Sequence, residues 1–459
     1  MHVQPQRFIM STPSGRSVGI DDLSVYAPRL YLSATGEFAA SRDIDPAKLI
    51  RGIGIERMAV PDAHEDAATM AAMSLLELMQ RNDLWPEEIG KIYIGTESGV
   101  DEAKAIGTYV IGMLEKVYGP GSFQDCSTVE FKSACIGTTH ALENICCWAA
   151  VDDEGRSGIV IASDVAKYPL RSSGEYTQGA GSVSMLVRRN PRLIALEKSI
   201  GVFTRDENDF FRPIGSSTAV VNGKHSNQCY LNAMEGAFVA YARGALKRGA
   251  IKLKSGEGIT DHVSHLLFHI PYPRMVEYAA SAIFRLDWKD LPRWREVEAN
   301  IGAAPRLEDF DVLDGYQSAD ANYGKKFSRT KLFLEAFRAK VEASAQISRQ
   351  VGNIYTGSLY LGLASLAEQQ RLMPGERVVF GSYGSGCSAM VFSGLVTPEV
   401  SSLPLRNIWK RLEERRAVSL DEYEMLHEGR RGESILSPCG EFALVETDGQ
   451  GYRHYDFVR

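Results

Sequence analysis

Short apolar runs that end in small or polar residues alternate along this chain with longer stretches in which apolar positions recur every three or four residues. Ile92-Tyr93-Ile94-Gly95-Thr96, Gly158-Ile159-Val160-Ile161-Ala162-Ser163-Asp164 and Val378-Val379-Phe380-Gly381-Ser382-Tyr383 read as buried strands. Ala67 to Gln80, Gly137 to Ala150, Asn232 to Lys247 and Gly357 to Glu368 carry helical spacing. This alternation predicts an α/β fold whose central sheets are covered by helices. Two strand segments lead into Gly/Ser-rich turns: Ser163-Asp164 feeds Gly174 to Gly181, and Ser382-Tyr383 runs into Gly384-Ser385-Gly386. The parallel suggests two similar halves, 18–190 and 191–459, with the boundary near Asn190-Pro191. From Asp287 to Ala345 charged residues mix with Trp, Tyr and Lys without a clear period at the start. That stretch reads as an insertion, 287–345, with a helical end.

Composition narrows the classes without naming a chemistry. With 459 residues, 44% hydrophobic and 24% charged, the chain has material for one large or two medium cores. A net charge of -7 argues against a general attraction to nucleic acid or to an anionic membrane, although a local basic patch for a phosphorylated ligand is compatible with it. No window approaches a continuous membrane-spanning length. The seven cysteines form an odd set without framework spacing and read as reduced thiols of a cytoplasmic protein. Met1 to Val18 is polar, lacks the apolar core of a secretory signal, and is expected to be a short disordered lead.

Four segments hold candidate chemistry. Cys135 lies in the small-residue turn Phe131-Lys132-Ser133-Ala134-Cys135-Ile136-Gly137, directly before a predicted helix. Free N–H groups of a first helical turn favour thiolate over thiol, so Cys135 is a candidate nucleophile; a buried structural cysteine is the competing reading. Glu97, in Thr96-Glu97-Ser98-Gly99 at a strand end, becomes a usable general base if desolvation raises its pKa, and otherwise belongs to a surface loop. His262, His265 and His269 are close in sequence, but no Cys or carboxylate in the immediate segment completes a ligand set, so no metal site is assigned. His269, at the end of a strand closed by Pro271, is instead a candidate proton shuttle or a hydrogen-bonded core histidine. Gly352-Asn353 opens a helix and Gly384-Ser385-Gly386 forms a turn; both offer backbone donors and close approach to a ligand.

In order and combination these motifs resemble hydroxymethylglutaryl-CoA synthases of the thiolase-like superfamily, over about Val18 to Tyr455. The resemblance rests on Thr96-Glu97-Ser98, Ala134-Cys135, Ala162-Ser163-Asp164, Gly174 to Gly181, Asp209-Phe210-Phe211-Arg212-Pro213, Phe268-His269-Ile270-Pro271, Gly352 to Ser358 and Ser382 to Gly386. It implies a five-layer α-β-α-β-α sandwich of two pseudo-repeated halves, a homodimer, and acetyl-CoA and acetoacetyl-CoA as substrates with no cofactor. The family's catalytic set falls on Glu97, Cys135 and His269. Asp164, Gly179, Asp209, Phe210, Asn353, Tyr355 and Ser385 fall on positions that shape its substrate site, and Arg274 follows where a cation meets a CoA phosphate.

The chain also departs from the pattern. Ile136 follows the nucleophile where the family has an aromatic residue, His140 is an unusual polar residue on the next helix, and Ser388-Ala389-Met390 lacks a carboxylate. Extra residues around Tyr118 to Asp125 add to those of 287–345. These differences bear on pocket shape and partners, and leave as competitors the same condensation on an acyl-carrier-protein thioester in polyketide β-branching and a non-catalytic acyl-CoA binder. The ketoacyl synthase and thiolase sets lack a carboxylate in the place of Glu97.

Overall fold

The computed structural model describes residues 17–459 except 370 and 405; most of the polar lead Met1 to Val18 lies outside the described residues. Nine strands form the main sheet: β1 (Val18–Tyr26), β2 (Ile89–Gly95), β3 (Ser127–Phe131), β4 (Ser157–Val165), β5 (Ala180–Arg189), β6 (Ile194–Thr204), β7 (His265–Phe268), β8 (Arg377–Gly384) and β9 (Ser388–Val396). Their spatial order is β7-β8-β9-β6-β1-β5-β4-β2-β3. Only the pairs Gly19↔Ala195 and Ile20↔Ile194 join β1 to β6, so the sheet divides there into two halves of matching design. In the first half β2 runs parallel to β3 and β4, and β5 is antiparallel to β4. In the second, β7 runs parallel to β8 and β9 is antiparallel to β8.

Period-two alternation sorts these strands between layers. Ile92, Ile94, Ile159 and Ile161 pack outward against helices α1 (Ala67–Arg81) and α2 (Ile106–Tyr118). Between them, Val160 points the other way, into a core shared with Phe380 and with helices α3 (Gly137–Val151) and α9 (Ser358–Glu368). Val379, next to Phe380, faces a third core built on α4 (Gly223–Lys247) and α5 (Met275–Trp288). The outcome is helix, sheet, helix, sheet, helix, the thiolase-like sandwich, with α3 and α9 as its inner helical layer. β4, β8 and three of the four helices come out within about a residue of the sequence reading; β2 begins three residues early, at Ile89, and α4 nine residues early, at Gly223, capped by the Asn222 side chain.

Residues 287–345, read as an insertion with a helical end, are helical through most of their length: α6 (Trp294–Ile301), α7 (Leu313–Phe327) and α8 (Lys331–Lys340) fold onto the second half. Trp288, Trp294, Phe327 and Phe333 are buried in its core, with Phe284 stacked on Trp288 at 4.7 Å. The anchoring aromatics are spaced among charges that face water, which hides the helical period. No helix among the described residues is long and apolar enough to cross a membrane.

Candidate active site

The parallel strands end together, and their carboxyl ends carry the candidate chemistry. Gly95 pairs with both Phe131 and Ala162, so the residues after β2, β3 and β4 emerge side by side: Glu97, the Cys135 turn and Asp164. Phe268 pairs with Gly381, which brings His269 next to the strand that leads into Ser385. A Cβ on Gly95 would lie 2.2 Å from the Thr138 nitrogen; only glycine lets the start of α3 come this close to β2. Ala134, immediately before Cys135, holds a left-handed φ of 45°, a strained turn at the entry to α3.

Cys135 Sγ donates to Glu97 Oε1 at 2.6 Å. Cys135, Tyr168, Phe210, His269, Asn353, Tyr355 and Ser385 all line one cavity of about 360 Å³. Tyr168, Phe210 and Tyr355 meet edge to face, with ring centroids 6.0–6.3 Å apart, and wall the thiol. The Asn353 carboxamide oxygen is engaged by the Tyr355 N–H at 2.9 Å and the Ser358 hydroxyl at 2.8 Å, which leaves its NH2 group as the donor for the cavity.

Burial dominates the proton affinities. Desolvation and the nearby Asp164 charge push the Glu97 carboxyl up to about 8, against the Cys135 hydrogen bond and the Arg212 charge, which act the other way. The Cys135 thiol is pushed well above its usual range by burial and by Glu97. The helix-terminus field does not make Cys135 a standing thiolate, as the local sequence suggests; it shares a proton relay with a carboxylate. Burial holds His269 down to about 3, so its imidazole is neutral in the empty cavity.

The other predicted residues divide between lining and support. Asp164 is fully buried and does not line the cavity: Oδ1 accepts from the Glu97 N–H at 2.7 Å, and Oδ2 from the Thr356 N–H at 3.1 Å and hydroxyl at 2.5 Å. It ties the Glu97 loop of the first half to the Asn353 loop of the second. Asp209, also fully buried, accepts from the Gly386 N–H and the Tyr383 hydroxyl, each at 2.8 Å, and holds the Ser385 turn. Gly179 packs backbone to backbone; a Cβ there would lie 2.4 Å from the Val351 carbonyl oxygen. Arg274 caps the start of α5, half-exposed, and is paired with Glu277 at 2.8 Å. Ile136 is fully buried in the inner core against Gly384, away from the cavity. The three clustered histidines diverge: His262 bonds Glu257 and His265 bonds Glu376, each at 3.0 Å, while His269 turns to the cavity.

Sequence reasoning missed Tyr168, Tyr230 and Tyr272, which also line the cavity, and did not single out Thr177 within the Gly174-to-Gly181 motif. It also missed Arg212, which donates to the Glu97 carbonyl. Arg212 lies in the quoted Asp209-to-Pro213 motif, where a signal was present; the tyrosines have no local pattern that separates them from core aromatics.

Two family models span most of the chain: hydroxymethylglutaryl-coenzyme A synthase N terminal over residues 14–191 and hydroxymethylglutaryl-coenzyme A synthase C terminal over residues 194–434. The chain belongs to the hydroxymethylglutaryl-CoA synthase family. It is 34% identical over 454 residues to the hydroxymethylglutaryl-CoA synthase of Haloferax volcanii, covering 96% of this chain and 99% of that one. To the Enterococcus faecalis synthase it is 32% identical over 412 residues, 89% and 91% of the two chains. Among solved structures, MvaS in complex with 3-hydroxy-3-methylglutaryl coenzyme A superposes with a TM-score of 0.83 at 31% identity, covering 97% of this chain and all of that one. The HMG synthase of the curacin biosynthetic pathway superposes at 0.75 with 23% identity over 96% of this chain and all of that one, a likeness of fold alone. As a hydroxymethylglutaryl-CoA synthase family member, the chain is an enzyme of the condensing acyltransferase class.

Proposed function

We propose that this chain condenses acetyl-CoA with acetoacetyl-CoA to 3-hydroxy-3-methylglutaryl-CoA through an acetyl-Cys135 intermediate. The observation that carries the assignment of roles is the 2.6 Å contact between Cys135 Sγ and Glu97 Oε1 beside a cavity that also presents His269 and Asn353. Cys135 attacks the acetyl thioester as Glu97 takes the thiol proton; Glu97 passes that proton to the departing sulfur, so CoA leaves as the free thiol and Glu97 is again a carboxylate. Glu97 then removes a methyl proton from the acetyl group, and the resulting carbon nucleophile adds to the ketone of the acceptor. His269 and the Asn353 NH2 group face the ketone oxygen. The neutral imidazole gives its ring N–H proton to the tertiary alkoxide as it forms, and the proton that Glu97 took from the methyl returns through the cavity to the ring, so both groups regain their starting state. Water finally cleaves the Cys135 thioester and restores the thiol.

Free acetoacetyl-CoA is the favoured acceptor because the relatives at 31–34% identity bear CoA-synthase names or hold a CoA ester, whereas the polyketide-pathway neighbour matches at 23%. The product serves the mevalonate route to isoprenoids. Edge strand β3, with Val129 43% exposed, offers an unpaired rim that supports a homodimer formed by strand pairing. Seven free thiols suit the reducing cytoplasm. Incubation with both thioesters, with the product identified by mass spectrometry, tests the reading; an acetyl-enzyme that condenses only with acetoacetyl-carrier protein transfers the assignment to the β-branching reaction, and binding without any acyl-enzyme overturns both.

A further inference from the structure

Beside the mouth of the cavity, three side chains that the condensation does not use converge. His225 and Cys229 lie one turn apart on α4 and share a helix face, and Glu207 approaches them from the loop after β6. Their ligand atoms all lie within 4.8 Å of one another. His225 Nε2 is 3.5 Å from Cys229 Sγ and 3.3 Å from Glu207 Oε2. A tetrahedral ion with bonds of about 2.0–2.1 Å to nitrogen and oxygen and about 2.3 Å to sulfur sets ligand edges of about 3.4 Å for N···O and about 3.5 Å for N···S. The two separations from Nε2 are of this size; Cys229 Sγ also lies 3.8 Å from His225 Nδ1, beside the ring edge, so the half-exposed imidazole must turn to aim its Nε2 lone pair at the ion.

We propose that Glu207, His225 and Cys229 form a site for a zinc-like divalent cation, a borderline-soft ion suited to a mixed oxygen, nitrogen and sulfur donor set. Arg205 sits 3.6 Å from Glu207 Oε1 and orients the carboxylate so that Oε2 faces His225, an outer contact of the kind that positions metal ligands. Asp209 and Glu207 add negative potential around Cys229. Burial, followed by these charges, pushes the Cys229 thiol up to about 12. Binding therefore replaces S–H by S–metal and releases one proton to solvent, on the side left open by the half-exposed His225. Three protein ligands leave one coordination position for water.

The ion would join elements that shape the cavity. The Glu207 N–H donates to the Gly386 carbonyl at 2.7 Å, so the loop already grips the turn that carries Ser385. Helix α4 contributes Ser226 and Asn227 to the lining. A cation there pins turn, loop and helix to one another. The buried trio His64, Glu65 and Glu441 is a weaker candidate, since Arg29 occupies the same Glu441 oxygen, Oε1, that faces His64, and the Tyr26 hydroxyl donates to Glu65 at 2.6 Å.

Titration of chelator-treated full-length protein with Co2+ tests the site. The expected result is one Co2+ per chain with a thiolate-to-cobalt charge-transfer band, displaced by Zn2+. The band is lost in both His225→Ala and Cys229→Ser and kept in Cys135→Ala. Because His225 is half-exposed, His225→Ala is expected to fold, which an unchanged circular dichroism spectrum confirms. Absence of the band in the unaltered protein, or its survival in folded His225→Ala, overturns the proposal. Loss of the band in Cys135→Ala also overturns it by placing the ion in the condensing site.

Discussion

Replacing Glu97 with Gln separates what this carboxyl does in the reaction from what it does to the fold. Its proton affinity corresponds to about 8 instead of the ordinary 4.5. At about 1.4 kcal/mol per tenfold change in affinity, the native fold disfavours the ionised form by about 5 kcal/mol. Sign follows from which state binds the proton more tightly. Below pH 4.5 both folded and unfolded chains carry the neutral acid and nothing is lost. Between pH 4.5 and 8 the folded protein binds more protons, so stability falls as pH rises, and above 8 the full penalty applies. A neutral Gln keeps an acceptor for the Cys135 thiol and escapes the penalty. Urea denaturation followed by tryptophan fluorescence should therefore show Glu97→Gln to be more stable than the parent by several kcal/mol at pH 8.5 and close to it at pH 5, while condensation falls by about 10²–10⁴ for loss of the base. A stability gain that is absent, or that does not grow with pH, refutes the buried-carboxylate argument; retained condensation refutes Glu97 as the enolising base.

Cys135→Ser is expected to abolish the acetyl-enzyme seen by intact-protein mass after addition of acetyl-CoA, with binding of the thioester preserved in equilibrium dialysis. The rate of acetylation should rise with pH through an apparent value near 8 that belongs to the Cys135–Glu97 pair, because the carboxylate must be ionised to receive the thiol proton; a flat profile from pH 6 to 9 contradicts this. His269→Ala should leave acetylation within a few-fold of the parent yet lower condensation by about 10²-fold or more, measured as loss of the acetoacetyl-CoA enolate absorbance. Gly95→Ala forces a methyl to 2.2 Å from the Thr138 nitrogen, which is expected to destabilise the protein by about 1–3 kcal/mol and to move α3, and Cys135 with it, away from Glu97. An unchanged acetylation rate in that variant would show that the close approach does not position the thiol.

Much of the architecture was legible because its signals are local. The alternation in Gly158 to Asp164 and the spacing in Ala67 to Gln80 need only neighbours along the chain, and the helix after Cys135 announces itself in the same way. Where polar or aromatic residues served distant partners, the local pattern misled. Helical spacing showed only from Asn232 because the first turns of α4 are largely polar. In 287–345 the core-forming Trp288, Trp294 and Phe333 stand among charged residues, so the stretch shows no clear period at its start although it is largely helical.

By itself the sequence determined most of the strand and helix segments and the order of the candidate reactive residues, and through resemblance it pointed to the three proposed to act, Glu97, Cys135 and His269. Tertiary structure decided their states and the work of their neighbours. Cys135 and Glu97 are 38 residues apart, and only the parallel pairing of β2 and β3 brings thiol and carboxyl to 2.6 Å. Asp164 and Asp209 proved to be braces beneath the cavity, Ile136 faced the inner core, and Glu207 met His225 and Cys229. Proton affinity is set by water excluded and by charges gathered from remote segments, so it is a property of the assembled site and has no signature in any short stretch of chain.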